Sequence, residues 1–192
     1  MIKIGNDISR FSSYSCQPKT REELMNIIFE RIKRRGTECD LNDIDISLVK
    51  DMTYLFAWSF FDGDISKWDT SHVINMDGMF NNSKFNQDIS NWDVSNVRSM
   101  ASMFAYTDFT GDISNWDVSK VYNMESMFYG SVFTNDISRW NVSNVKNMNC
   151  MFALCKFNND ISNWKLDKDC DTYNMFCGCP IKEEYKPKGI QV

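Results

Sequence analysis

The residues with the most chemistry to offer are two ladders of aspartate. Asp64, Asp88, Asp112, Asp136 and Asp160 recur every 24 residues, each opening an Asp-Ile-Ser triplet. Asp69, Asp93 and Asp117 form a second ladder, five residues further along in each copy. If the copies stack, equivalent carboxylates lie about 5 Å apart, the spacing of neighbouring strands. Like charges that close repel, so each needs compensation. The local solution is an Asx-type turn, in which the carboxylate accepts a backbone N–H two residues on; Asp-x-Ser suits it. The other solution is a calcium ion or a basic partner shared between turns. The local reading is favoured for both ladders, and the second ladder is the better binding candidate.

Catalysis has little else to draw on. His72 is the sole histidine, and its slot holds Leu48, Asn96, Lys120 and Asn144 in other copies, which fits a surface residue better than a general base. No glycine-rich phosphate loop is present. Seven cysteines cannot all pair internally. Cys150, Cys155, Cys170, Cys177 and Cys179 crowd the last two copies without the paired CxxC of a zinc site. Reduced structural thiols are the favoured reading, with a disulfide or a metal as the alternatives. The chain is expected to be no enzyme, with no catalytic residue, metal or cofactor.

Behind the ladders stands a 24-residue unit that runs six times without a gap over residues 37–180. Trp68, Trp92, Trp116, Trp140 and Trp164 keep the period, as do Phe61, Phe85, Phe109, Phe133 and Phe157. Four copies end in Met-x-x-Met-Phe, for example Met100, Met103 and Phe104. The first copy is degenerate but in register: Ile44 stands in the tryptophan slot, and Met52, Leu55 and Phe56 close it. A fixed period of this length marks a stacked repeat architecture. Trp92 and Val94, two apart, predict a short strand over residues 89–94. The spacing of three that follows, over 97–104, predicts a short helix. One copy cannot cover its own apolar face, so neighbours must stack into a continuous core. The tryptophan and methionine ladders are read as that core rather than as a ligand groove.

The flanks follow. Over residues 18–36, Thr20 with Glu23 is a capping-box signature, Leu24, Ile27, Ile28, Arg31 and Ile32 keep helical spacing, and Gly36 ends the run. A basic amphipathic helix can bind membranes or partners; the favoured reading is an N-terminal cap hiding the open end of the first copy. The expected division is 1–36 as N-terminal segment and capping helix (helix about 20–35), 37–180 as repeats, and 181–192 as a loosely ordered tail. The motif of residues 135–140 is echoed at 6–11, which reads as a stray strand. A net charge of −5 argues against non-specific nucleic-acid binding. The start lacks the apolar core of an export signal, and no run approaches the roughly 18 apolar residues of a membrane span. That predicts a cytoplasmic protein, or one at the cell surface if the start is truncated.

The unit FNQDISNWDVSNVRSMASMF resembles the BspA-family leucine-rich-repeat surface proteins, whose repeat is also of a Mycoplasma-lipoprotein type, and the likeness covers about three quarters of the chain. The resemblance implies an α/β fold: a leucine-rich-repeat-like right-handed solenoid of six strand–turn–short-helix units with an N-terminal helical cap. It also implies a non-enzymatic binding role, often at a bacterial surface. The expected function is a protein-binding module that recognises a protein of unknown identity through one solenoid face, as a monomer. The alternatives are a bacterial surface or adhesion module, a phage- or virus-encoded decoy of a host protein, and a calcium-dependent solenoid. By strand alternation Asp69, Asp93 and Asp117 face outward. Two further slots vary between copies: Lys50, Ile74, Arg98, Tyr122 and Lys146 in one, Trp58, Asn82, Tyr106, Gly130 and Leu154 in the other. Packing is not expected to dictate those choices, which makes Trp58, Arg98, Tyr106 and Tyr122 candidate anchors.

Overall fold

The computed structural model of the chain describes residues 14–190, so the echo at 6–11 lies outside the described residues. Helix α1 spans Arg21–Arg35. Thr20 Oγ1 accepts the Glu23 N–H at 3.2 Å, while the Glu23 carboxylate accepts from Lys19 N at 2.7 Å, one residue ahead of the usual reciprocal bond. Glu22 and Glu23 in the first turn, and Lys33, Arg34 and Arg35 in the last, complement the helix dipole. Gly36 closes it at φ +87°, its N–H bonded to Ile32 O at 2.8 Å.

Leu24 and Ile28 are buried and seat α1 on the first unit. Arg31 bonds both oxygens of Asp43 at 2.7 Å and reaches Ser15 Oγ at 2.6 Å. Burial pushes the Asp43 carboxyl up, but the guanidinium and the Ser15 hydroxyl more than offset it, and its pKa is lowered. Arg21 Nε donates to Thr53 O. Cys16 pairs in parallel with Ile44, adding a rung on the other flank.

The units hydrogen-bond in strict register. Parallel bridges link Asp51, Asn75, Ser99, Asn123, Asn147 and Asp171 in succession, each to the residue 24 further on. Neither the strand nor the short helix expected inside a unit is formed. The unit is instead a succession of tight turns, closed by Trp92 N→Ile89 O, Val97 N→Val94 O, Met103 N→Met100 O and Ala105 N→Ser102 O at 2.9–3.2 Å. Ser102 and Tyr106 adopt φ of +55° and +56°, and the same two slots are left-handed in all six units, from Tyr54 and Trp58 to Asn174 and Gly178. A left-handed residue stops a helix from propagating and supplies the positive φ that the third position of a type II turn requires. The spacing of three is therefore a turn period, not a helical one.

The same conformation sends alternate N–H groups out of the unit. Met100, Ser102, Phe104 and Tyr106 donate to Asn123, Glu125, Met127 and Tyr129 carbonyls at 2.7–2.9 Å. Backbone donors that a lone unit would leave unpaired are satisfied by its neighbour.

The core is columnar. Trp68 and Trp92 stack at 6.4 Å with 6° between their planes, and Phe80 and Phe104 at 5.7 Å. Phe104 also stacks on Phe109 at 4.4 Å, joining the two phenylalanine columns. Each indole N–H of the buried column is spoken for: Trp92 Nε1 donates to Ile65 O at 3.1 Å, and the bond recurs from Trp68 to Trp164.

The tail is better packed than its composition predicts. Ile181 and Pro187 are buried, Glu183–Tyr185 forms a 3₁₀ turn, and Tyr185 O accepts the Ile161 N–H at 3.0 Å. The carbonyl of a proline-flanked turn completes a bond that the last unit would otherwise lack. Among the described residues no helix is long and apolar enough to cross a membrane.

Candidate protein-binding face

Both aspartate ladders use the local solution. Asp64, Asp88, Asp112, Asp136 and Asp160 each accept the N–H of the serine two residues on, at 2.8–2.9 Å. In the second ladder Ser71, Ser95 and Ser119 N–H donate to Asp69, Asp93 and Asp117 at 2.9–3.1 Å. Asn141 does the same service with Ser143 N at 3.3 Å, so the turn needs an acceptor oxygen and not a charge. The backbone N–H bond from Ser90, assisted by the Ser90 hydroxyl, lowers the Asp88 pKa; Asp64 and Asp88's neighbour Asp112 are lowered in the same way by Ser66 and Ser114. For Asp93 and Asp117 the serine side chain is the larger cause and the backbone N–H the second. Asp88 is lowered even though Asp112 and Asp64 push the other way. The result is a row of carboxylates held ionised at the repeat spacing.

The first ladder has a further property. It lies along a run of surface hollows of about 420, 480 and 430 Å³. The first is lined by Asp88 and Asp112, the second by Asp112 and Asp136, the third by Asp136 and Asp160, so each shares an aspartate with the next. Asn86, Asn135 and Asn159 line the same hollows, and Arg139 adds one positive charge. Sequence reasoning placed the binding emphasis on Asp69, Asp93 and Asp117 instead. The signal that could have found the groove was the ring of Asn and Ser beside every Asp-Ile-Ser triplet.

The seven sequence-predicted site residues are all exposed, but they form two strips. Asp93 and Arg98 sit on one stretch of the unit, and Tyr122 follows Arg98 directly through Tyr122 N→Arg98 O at 2.9 Å. Trp58 and Tyr106 lie eight residues beyond the Arg98 slot, past the buried Met100, Met103 and Phe104 of that stretch.

Packing does dictate part of the variable slot, contrary to expectation. A Cβ on Gly130 would meet the Tyr106 ring at 2.9 Å and one on Gly178 would meet Leu154 at 2.7 Å; in the left-handed slot four residues earlier, one on Gly78 would meet Tyr54 at 2.1 Å. A large residue in one unit thus lies over a glycine of the next. Tyr106 also meets Tyr129 edge-on at 5.2 Å. Its size is explained by that roofing contact; the identity of Trp58, 71% exposed, is not.

His72 sits in an exposed turn, its Nδ1 3.0 Å from Ser71 Oγ and 3.9 Å from Asp69 Oδ2. All seven cysteines are free. Cys155 and Cys179 occupy the slot held by Ser83, Thr107 and Ser131 in earlier units, with Cys155 Sγ 3.4 Å from Ser131 Oγ and Cys179 Sγ donating to Phe157 O at 3.1 Å. Burial pushes the Cys170 and Cys179 thiols up to about 11, which keeps them neutral. Among the described residues no group of three or more His, Cys, Asp or Glu is arranged to hold a metal ion.

A family model described as a Mycoplasma protein of unknown function, DUF285, matches residues 23–131 and again residues 100–185. No curated protein and no solved structure matches the chain.

Proposed function

The chain belongs to the Mycoplasma protein family of unknown function DUF285, and on that premise we propose that it is a non-enzymatic binding module that takes a basic segment of a partner protein along its acidic groove. The six units would form a right-handed, leucine-rich-repeat-like solenoid related to the BspA type, built from stacked turns in place of strand and helix. The observation that carries the reading is the run from Asp88 to Asp160, where three successive hollows are lined by one fixed carboxylate per turn and share Asp112 and Asp136 between them. Each of these aspartates has one oxygen committed to its own turn. The other is free to meet a lysine or arginine, and the regular spacing favours an elongated partner over a point ligand.

The test exploits the lesson of Asn141. Asp88→Asn, Asp112→Asn and Asp136→Asn together keep the turn acceptors and remove three charges. Affinity capture from native host lysate is run with the triple variant and with the unaltered chain, at about 50 and 300 mM salt. A protein held by the unaltered chain at low salt, and lost with the variant and at high salt, supports the groove. Capture that ignores the three changes rejects it. An Arg98→Ala, Tyr122→Ala double variant assigns binding to the other strip if capture fails there instead.

A further inference from the structure

One slot of the unit runs through the stack as a file. Trp58, Asn82, Tyr106, Gly130 and Leu154 each donate their N–H to the following unit, to the Asn81, Ala105, Tyr129, Ala153 and Cys177 carbonyls at 2.7–2.9 Å. The bonds hold one residue of the slot in each unit, in register, up to Gly178. Large and small residues alternate along it. Trp58, Tyr106 and Leu154 are 71%, 56% and 57% exposed, and an asparagine or a glycine follows each.

Two observations mark this file as more than surface. All six residues have φ between +50° and +67°. Glycine and asparagine take that conformation readily, whereas a bulky side chain takes it at a cost. Trp58, with Asn82 and not a glycine in the next unit, gains little packing in return, and backbone cost of this kind gathers at binding sites. The donors along the file are also unused. The indoles of the buried column each bond a carbonyl, but Trp58 Nε1 finds no acceptor among the described residues. Nor does the exposed side-chain amide of Asn82, between Trp58 and Tyr106. Charge beside the file is balanced, since Lys84 and Asp108, two residues past Asn82 and Tyr106, pair at 3.3 Å.

The alternation sets a pitch. Hydrogen-bonded rungs lie about 4.8 Å apart, so the large side chains recur about every 9.6 Å. A polyproline II helix presents the same edge every three residues, about 9.3 Å, and its carbonyls have no internal partners. An extended strand repeats its face about every 6.7 Å and falls out of step. An α-helix, at about 5.4 Å per turn, sets side chains against the small rungs as well.

We propose that the file from Trp58 to Leu154 is a docking site for a proline-rich segment of a partner protein in the polyproline II conformation. A proline ring rests on each large side chain, and the carbonyls between them accept from Trp58 Nε1 and the Asn82 amide. Such a segment is uncharged, apolar and rich in free acceptors, as the file requires, and being pre-formed it loses little entropy on docking. No residue of the acidic groove belongs to this file, so the two readings stand or fall separately.

The probe is a peptide of nine prolines, which covers all three large side chains; a peptide of three covers one step. The readout is the indole N–H region of the NMR spectrum of the full chain, where Trp58 is one of six tryptophans and the other five are buried. Nine prolines should shift the Trp58 resonance saturably and leave the five in place. Three prolines should bind at least about tenfold more weakly. Tyr106→Ala should weaken binding of the longer peptide by at least about tenfold. Asn82→Gly, which keeps the left-handed backbone and removes the amide, should weaken it by about threefold to tenfold. Unmoved resonances of the five buried indoles certify the fold of both variants. The proposal is overturned if nine prolines leave Trp58 unmoved, if three bind as well as nine, or if either variant binds as the unaltered chain does. A soluble β-linked glucose oligomer that shifts Trp58 where oligoproline does not would assign the file to a saccharide and overturn it too.

Discussion

The two ends of the stack are closed by different devices. At the N-terminal end α1 lies over the first unit, with Leu24 fully buried and Arg21 donating to a carbonyl. At the C-terminal end a short tail covers Phe176 only in part. Bonds between units run in both directions, as in Met100 N→Asn123 O and Tyr122 N→Arg98 O, so the two ends differ in what packs on them rather than in which peptide groups they present.

That contrast is open to measurement. Leu24→Ala should cost about 2–5 kcal/mol in urea unfolding, as a full cavity between cap and stack, while Phe176→Ala should cost roughly 1–2 kcal/mol because its ring is only partly buried. The reverse order would mean that the open end, not the capped one, anchors the stack.

Glycines sharpen the same comparison at smaller scale. Gly130 is interior, at φ +62° beneath the Tyr106 ring, and Gly130→Ala should destabilise by about 1–2 kcal/mol from the left-handed backbone and the displaced ring together. Gly178→Ala, at φ +67° on the open end, meets only a flexible leucine methyl and should cost less. Equal melting temperatures for the two variants would contradict the roofing role of Tyr106.

Acid should act on the whole outer wall. Asp64, Asp88, Asp93, Asp112, Asp117 and Asp136 are all depressed below the ordinary carboxylate value by their serine partners. A group depressed in the folded state stabilises it above the unfolded pKa, near 4, and that contribution fades as pH falls through the folded values. Melting temperature should therefore hold down to about pH 5 and decline below it. The Asp88, Asp112 and Asp136 to Asn variant should show a shallower decline.

The smallest expected effect is none. Since each ladder aspartate caps its own turn, a chelator should leave the melting temperature unmoved; a loss of several degrees would instead assign the ladder to a bound cation.

Much of the interior was legible from residue types. The tryptophans, both phenylalanine columns and the Met-x-x-Met pairs are buried because an apolar residue kept in every copy has nowhere to go but the shared core. The helix was legible because Thr20, Glu23 and Gly36 are local signals read within one turn. The turn nature of each unit was not. Apolar residues three apart fit a helix and a chain of turns equally, and the deciding fact is a left-handed φ at Ser102, Cys150 or Tyr106, residue types that rarely adopt it alone. What holds them there is the bond each N–H makes to the next unit. The binding surface was half legible: the second ladder's exposure followed from alternation, while the groove beside the first needed the shape of the turns.

The order of residues by itself determined the period, the identity of the buried columns, the capped helix and the local capping of each aspartate. These depend on side-chain chemistry and on neighbours two to four positions away. Tertiary structure alone decided which hydrogen bonds join one unit to the next, the pairing of Tyr106 with Gly130, and the difference between the two ends. Those depend on how one turn sits on another, where partners lie 22 to 27 residues apart, beyond the reach of any local signal.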